Sequence, residues 1–190
     1  MAVCNDGLYV WGANGRGQLG KGGRMSASSP IRLDFFNLKV VHYIACIQDQ
    51  SYAICNASCC SPYDDVYEWG NDINIPTPFE KKLFDNKSVK KIVGKGGYRI
   101  AVCKDSLYSW GSNNHGQLGQ NLPRELYSYV DEPGEIQKLN NKNVKNIACG
   151  LQHVMAVCED GVYAWGLNIH GQLGLNKKYQ FNRDRGYLEN

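Results

Sequence analysis

The chain has 190 residues, of which 43% are hydrophobic, and a formal net charge of +3. This charge is too small for the concentrated basic face that binding to nucleic acid or a membrane surface requires, so we expect no direct contact with either. No run of 18 apolar residues occurs, and the first residues lack the basic and apolar regions of a signal peptide, which together predict an intracellular protein of the cytoplasm or nucleus. Aromatic residues and the 21 glycines favour strands and tight turns over helices, so the predicted class is all-β.

The predicted elements repeat along the chain. A tetrad that ends in Tyr-x-Trp recurs four times, with 41 to 58 residues between successive tryptophans. The tetrads are Leu8–Trp11, Val66–Trp69, Leu107–Trp110 and Val162–Trp165, and the glycines that follow them are Gly12, Gly70, Gly111 and Gly166. A period of about fifty residues is typical of a propeller blade. We therefore divide the chain into approximate repeats 1–40, 41–88, 89–143 and 144–190, which form a single array over residues 1–190.

A second aligned segment precedes each tetrad. Residues 41–55, 89–103 and 144–158 each carry two short apolar runs separated by polar or glycine residues, which predicts two strands joined by a tight link. The first repeat shows only the end of this segment, Met1–Cys4. Asp6-Gly7 and Asp160-Gly161 stand between segment and tetrad, where Asp-Gly supplies the positive φ angles of a two-residue hairpin turn. We therefore predict antiparallel pairing of the two strands.

Three repeats continue after the tryptophan with Gly-Gln-Leu-Gly, at residues 17–20, 116–119 and 171–174. The second repeat has Asn71–Pro76 instead, which we interpret as a degenerate loop. A last short strand is predicted at Pro30–Leu33, Pro78–Leu83 and Pro133–Leu139, because proline at the start of a strand fits an outer edge. Each repeat then contains four strands. The predicted fold is a partial β-propeller of about three and a half to four four-stranded blades.

The tetrad also predicts how the blades cohere. Alternate residues of a strand point to opposite faces, so Leu8 and Val10 face one way while Tyr9 and Trp11 face the other. Because both faces of a blade pack on neighbouring blades, we expect the tryptophans to dominate the contacts between blades. The cysteines that recur in register indicate packing rather than disulfide or metal chemistry; they are Cys4, Cys55, Cys103 and Cys158. Cys59 and Cys60 lie outside the repeat pattern and lack the spacing of a metal site.

Few residues are candidates for chemistry. Arg16, His115 and His170 each lie five residues past a tryptophan, which predicts equivalent loop positions on one rim of the propeller and makes them candidate binding residues. His153 has no recurrent Ser, Cys or carboxylate partner in its segment, and we expect its ring to hydrogen-bond a backbone carbonyl. Gly15–Gly20 matches a dinucleotide fingerprint, but no crossover helix pattern follows it. We predict no catalytic residue, cofactor or metal, and therefore no enzyme.

These residues resemble the regulator of chromosome condensation repeats. The resemblance rests on Trp165–Gly174, on the equivalent run Trp110–Gly119, and on Ile147–Val157, which is similar to the Gly-x-x-His segment of that family. It implies a propeller that is usually closed with seven blades. The sequence departs from the family pattern at Gln50 and Tyr98, which take the place of His153, and in the second repeat, which lacks Gly-Gln-Leu-Gly.

The expected function is a non-catalytic scaffold or adaptor that binds a protein partner. The alternative that the resemblance implies is guanine-nucleotide exchange on, or regulation of, a small GTPase such as Ran, together with chromatin docking. About three and a half blades cannot make a seven-bladed ring. The sequence leaves open a fragment, an open arc, a small closed ring, or a ring completed by self-association or by a second chain.

Overall fold

The protein is described by a computed structural model over residues 1–56, 63–78, 87–122 and 128–174. These residues form four antiparallel sheets and two short 3-10 turns. The chain divides into two compact units, Met1–Lys91 and Ile92–Asn190. The predicted strand Pro78–Leu83 lies outside the described residues except for Pro78. Cys59 and Cys60 lie wholly outside them.

The first compact unit contains two sheets, which we call blades 1 and 2. Blade 1 consists of β1 (Ala2–Cys4), β2 (Gly7–Gly12) and β3 (Ala27–Arg32). A 3-10 turn at Asp34–Phe36 leads to blade 2, whose strands are β4 (Val41–Ile47), β5 (Gln50–Cys55), β6 (Asp65–Gly70) and β7 (Ile73–Pro78). In both blades consecutive strands are neighbours, so each sheet is a simple meander.

Blades 3 and 4 follow in the same manner. Blade 3 consists of β8 (Val89–Lys95), β9 (Tyr98–Cys103), β10 (Leu107–Ser112) and β11 (Tyr129–Glu135), and a 3-10 turn at Gln137–Leu139 ends it. Blade 4 consists, within the described residues, of β12 (Asn146–Cys149), β13 (His153–Cys158) and β14 (Gly161–Gly166). Strands β9 to β14 lie entirely in the second compact unit, whereas β8 crosses the boundary between the two units.

The predicted hairpins are confirmed, but their turns lie one residue earlier than expected. Cys4 pairs with Gly7 and Cys158 pairs with Gly161, so the turn residues are 5–6 and 159–160. Each glycine is instead the first residue of its strand, with φ of 148° and 149°. The glycine is needed there because this φ carries a steric penalty for any residue with a Cβ atom.

The outermost strands lie earlier in the chain than predicted. In blade 2 the tight turn Asn71–Asp72 starts a strand at once, so Ile73–Pro78 forms β7 where we expected a degenerate loop. In blade 3 the strand is Tyr129–Glu135, and the predicted segment after Pro133 ends in a 3-10 turn. In blade 1, β3 begins at Ala27 rather than Pro30. Proline is tolerated inside these strands because each lies at a sheet edge, where its missing N–H breaks no ladder.

Each compact unit has its own apolar core between two sheets. In the first, Leu8 and Val10 of blade 1 pack in one cluster with Tyr67 and Trp69 of blade 2. Phe36, from the 3-10 turn, meets Tyr67 edge to face, with ring centroids 5.5 Å apart at 88°. In the second core the corresponding residues are Leu107, Tyr163 and Trp165, with Ile136 and Leu139 added by the end of blade 3.

The tryptophans do not share one environment. Trp69 and Trp165 are 0% and 2% exposed, as expected for residues in a core shared by two blades, and Trp110 is 6% exposed. Trp11 is 42% exposed, although it occupies the same place in its strand. The difference arises because the Tyr9 and Trp11 side of blade 1 faces away from the core that blades 1 and 2 share.

Candidate functional site

The Gly-Gln-Leu-Gly segments belong to three loops of the same construction, at residues 14–20, 113–119 and 168–174, which we call the rim loops. Each begins with a buried asparagine whose side-chain carbonyl accepts a hydrogen bond from the leucine amide five residues on. The N···O distances are 2.9 Å from Leu19 to Asn14, 3.0 Å from Leu118 to Asn113 and 3.0 Å from Leu173 to Asn168. The asparagine therefore closes the loop from inside and gives it a defined shape.

The three predicted binding residues occupy equivalent places in these loops. Their backbone amides donate to the side-chain carbonyl of the glutamine two residues on, at 2.8 Å for Arg16, 2.9 Å for His115 and 2.9 Å for His170. The side chains of Arg16 and His170 are exposed, and His115 is half-buried. A fixed backbone with a projecting polar side chain is the arrangement that binding loops on rigid scaffolds use.

Two of the rim loops also join one blade to the next. Trp69 Nε1 of blade 2 donates to the carbonyl of Gln18 in blade 1 at 2.9 Å, and Trp165 Nε1 of blade 4 donates to the carbonyl of Gln117 in blade 3 at 3.0 Å. The following glycine lies directly under the indole: a Cβ placed on Gly20 would be 2.7 Å from Trp69 Cδ1. We call this contact the tryptophan seam.

The charges near Arg16 form a compact group in the first compact unit. Asp72, in the β6–β7 turn, lies 3.2 Å from Arg16 and 2.9 Å from Arg24. Its backbone amide also donates to the Arg16 carbonyl at 2.9 Å. Gln18 donates to Asp49 of the β4–β5 turn at 3.3 Å. Each member of the ion pairs is about half exposed, so a pair adds only about 0–1 kcal/mol to stability. The group therefore determines the local charge pattern more than the fold.

The glycines after the tryptophans are required by a close backbone approach. They have φ between 94° and 105°, and a Cβ would stand 1.9 Å from Asp49 O at Gly70, 2.2 Å from Gly97 O at Gly111 and 2.4 Å from Gln152 O at Gly166. The next amide donates to the same carbonyl in each case, at 2.8 to 2.9 Å. At Gly12 the φ is the same, but a Cβ would meet nothing within 4 Å. In blades 2, 3 and 4 these glycines therefore let the turn between the first two strands lie against the end of the third strand.

His153 has a packing role in the β12–β13 turn. Its ring covers Gly150, where a Cβ would be 2.1 Å from Cε1, and Gly150 N donates to its carbonyl at 2.8 Å. Within the described residues the ring makes no hydrogen bond, so the expected bond to a carbonyl is not found there. Tyr98, its equivalent in blade 3, donates instead to the carbonyls of Gly150 and His153 at 2.7 and 2.9 Å. Burial raises the pKa of Tyr98 far above its usual value and keeps the hydroxyl a donor.

At the opposite end of the blades, the hairpin turns carry a carboxylate with a tyrosine partner. Tyr9 donates to Asp6 at 2.6 Å and Tyr163 donates to Asp160 at 2.9 Å. These bonds lower the pKa of both carboxyl groups, although for Asp160 the larger cause is the ammonium group of Lys142 at 2.5 Å. Both carboxyl groups are exposed, and the pairing keeps both aspartates ionised at neutral pH.

The described residues hold no group of three or more His, Cys, Asp or Glu side chains that could bind a metal ion. The repeat cysteines Cys55 and Cys158 are buried free thiols, and burial raises their pKa, to about 11 for Cys55. Protonated thiols are poor nucleophiles and poor metal ligands. No helix in the part of the chain that the structure describes has the length and apolarity to cross a membrane.

The structural residues of the rim loops are the asparagine and the glutamine, which the sequence showed only as part of the recurring motif and for which it predicted no role of their own. The signal was available: the asparagine and the glutamine occur at the same distance from the tryptophan in all three loops, whereas the two residues that follow the asparagine differ between loops. An invariant polar residue beside a variable one indicates a side chain that the loop needs for its own hydrogen bonds.

Repeated meanders of three or four strands with buried aromatic residues between them define a β-propeller repeat protein, and solved structures agree. Prp20p from Saccharomyces cerevisiae, studied for its binding to Gsp1p and histones, has the same fold, with a TM-score of 0.68 and 18% identity over 89% of this chain and 43% of that one. The partial β-propeller expected from the sequence is therefore confirmed.

The chain belongs to the family of the regulator of chromosome condensation (RCC1) repeat, whose models match residues 5–54, 104–157 and 144–172. It is 30% identical over 188 residues to the ultraviolet-B receptor UVR8 of Arabidopsis thaliana, covering 93% of this chain and 41% of UVR8. It is 32% identical over 192 residues to the probable E3 ubiquitin-protein ligase HERC6 of Homo sapiens, covering 93% of this chain and 18% of HERC6. The chain thus spans less than half the length of these relatives.

Proposed function

We propose that the chain is a non-catalytic scaffold or adaptor, acting in the cytoplasm or nucleus, which binds a protein partner through its rim loops. The observation that carries this proposal is the shared construction of the three loops, which differ at only two positions each. At one of these positions Arg16, His115 and His170 have backbone amides held by a glutamine at 2.8 to 2.9 Å, and each carries a basic or titratable side chain. A rigid frame with variable side chains is suited to recognition rather than to chemistry.

The charge group at Arg16 supports a polar, protein-binding surface. Asp72 and two arginines present both signs of charge within one hydrogen-bonded group. Mixed charge of this kind favours a partner with a complementary pattern and affects the association rate more than the affinity. Uniformly basic surfaces favour nucleic acid instead, and the net charge of +3 adds little to such attraction.

Site-specific photo-crosslinking tests the proposal. A photoreactive residue at position 16 or 170 is exposed on a rim loop, whereas one at Asp105 is exposed at the opposite end of its blade and serves as the control. In extract of the source organism we expect both rim positions to crosslink to protein bands of the same mass, and the control position to give none of them. Crosslinks of equal yield from the control, or none from the rim, would contradict the proposal.

A second candidate is regulation of a small GTPase by nucleotide exchange. It is supported by the family resemblance and by the shared fold with Prp20p, which binds Gsp1p and histones. Because fold alone does not transfer activity, this candidate needs its own assay. Release of a fluorescent guanine nucleotide from a panel of small GTPases would accelerate if the chain is an exchange factor. An unchanged release rate with every GTPase of the panel would contradict this candidate.

A further inference from the structure

Blade 1 exposes a face that is buried in the other blades. Alternate residues of its inner strands point to this face: they are Ala2, Cys4, Tyr9 and Trp11. Their equivalents in blade 2 are Ala53, Cys55, Tyr67 and Trp69, which are at most 6% exposed because they pack against blade 1. In blade 1, Trp11 is 42% exposed and Cys4 is also exposed. The same side chains are thus present without the covering sheet.

Blade 4 exposes the other side of its sheet, the side that points away from Tyr163 and Trp165. Met155, Val157 and Val162 are 39%, 42% and 60% exposed. Their equivalents in blade 3 are Ile100, Val102 and Leu107, which are 0%, 5% and 2% exposed because they lie in the core shared with blade 4. Apolar side chains grouped on one sheet face and open to water are a recognised mark of an interaction surface.

The two exposed faces carry the two halves of the tryptophan seam. In the seams that the chain contains, an indole lies over the last glycine of a rim loop and donates to the glutamine carbonyl. Trp11 offers an indole whose Nε1 has no acceptor among the described residues. Gly174 has φ of 70°, close to the 67° and 65° of Gly20 and Gly119, yet a Cβ there would meet nothing within 4 Å. Each half therefore lacks the group that the other provides.

We propose that the Tyr9 and Trp11 face of one copy binds the Met155, Val157 and Val162 face of a second copy. In this contact Trp11 Nε1 donates to the Gln172 carbonyl and the indole covers Gly174, as Trp69 covers Gly20 within the chain. The contact is head-to-tail, so the two copies use different surfaces. A second copy is the occupant that the structure favours, because the two faces match each other in the register that the chain already uses twice. The inference goes beyond the proposed function and does not depend on it.

Complementation between two variants tests the proposal. Trp11→Ala removes the indole from one face, and Val162→Glu places a charge in the other; both residues are exposed, so folding should be retained. Leu38→Glu, at a fully exposed apolar position outside both faces, is the matched control. Sedimentation velocity is run over a wide range of protein concentration in reducing buffer, because Cys4 and Cys46 are exposed thiols.

We expect the wild type and Leu38→Glu to associate with increasing concentration, and each face variant alone to remain a monomer. An equimolar mixture of Trp11→Ala and Val162→Glu should form dimers, because each copy retains the face that the other lacks. This recovery also shows that both variants are folded. A wild-type chain that stays monomeric would overturn the proposal. So would a mixture that does not recover, or a Trp11→Ala chain that still self-associates.

Discussion

The rim-loop glycine under the indole allows the tryptophan seam to be measured by substitution. Gly119 and Gly174 end equivalent loops in the same compact unit, with φ of 65° and 70°. Alanine at either position must adopt the left-handed backbone conformation, which lowers the free energy of unfolding by roughly 1–2 kcal/mol. Only at Gly119 would the new Cβ also meet the indole, 2.7 Å from Trp165 Nε1. Gly174→Ala therefore serves as the control for the backbone cost alone.

The extra cost at Gly119 has two sources. Displacing a buried ring that has little room to move costs about 1–3 kcal/mol, and weakening the Trp165 to Gln117 hydrogen bond costs about 1 kcal/mol. We expect Gly119→Ala to lower the free energy of unfolding by about 3–6 kcal/mol, against about 1–2 kcal/mol for Gly174→Ala. Urea unfolding followed by tryptophan fluorescence, at a concentration where the chain is monomeric, measures the difference.

A double-mutant cycle separates contact from backbone strain. In a Trp165→Ala background the indole is gone, so Gly119→Ala should cost no more than Gly174→Ala. Equal destabilisation by the two glycine substitutions in the wild-type background would refute the reasoning. An unchanged cost of Gly119→Ala after removal of the indole would refute it as well.

Three further changes are expected to be informative. Trp165→Phe should cost about 1 kcal/mol more than Trp69→Phe in urea unfolding, because the carbonyl that Trp69 binds keeps a second donor, Ser51 Oγ at 2.8 Å. Asn113→Ala should cost about 1–3 kcal/mol, since it leaves the buried leucine amide of its loop unpaired; an undiminished unfolding midpoint would contradict this. Because burial raises the thiol pKa of Cys55 from 9.0 to about 11, only the unfolded chain loses this proton in that interval. The free energy of unfolding of the wild type should therefore fall, relative to that of Cys55→Ala, as pH rises from 9 to 11. A constant difference between the two in urea titrations at several pH values would contradict this.

Much of the fold could be predicted because the repeat is explicit. The Tyr-x-Trp tetrad and the paired apolar runs before it placed β5 and β6, and their counterparts, on the correct residues. The outermost strands were harder, because their pairing depends on turn geometry and not on hydrophobic period. Asn71 and Asp72 have φ of 49° and 77°, which makes a tight hairpin turn and leads directly into β7. The dipeptide was a turn signal that the missing Gly-Gln-Leu-Gly obscured.

The constant spacing from the tryptophan predicted equivalent loop positions for Arg16, His115 and His170, and their backbone amides make the same hydrogen bond in the structure. Their role in binding stays a prediction. The sequence could not show that Asp72 would form ion pairs with both Arg16 and Arg24, because both arginines are far from Asp72 in the chain. Nor could it show that Trp11 would be exposed, since burial depends on a neighbouring sheet and not on the residue itself.

The tryptophan seam gives this repeat a simple way to change in number during evolution. One repeat carries both a donor indole and an acceptor loop, so duplication of the encoding segment adds a compatible neighbour without requiring a new interface. The second repeat retains the indole of Trp69 but has exchanged its own Gly-Gln-Leu-Gly for a hairpin. Donor and acceptor can therefore diverge independently, and a lineage can alter one side of a blade while its other side continues to fit the repeat before it.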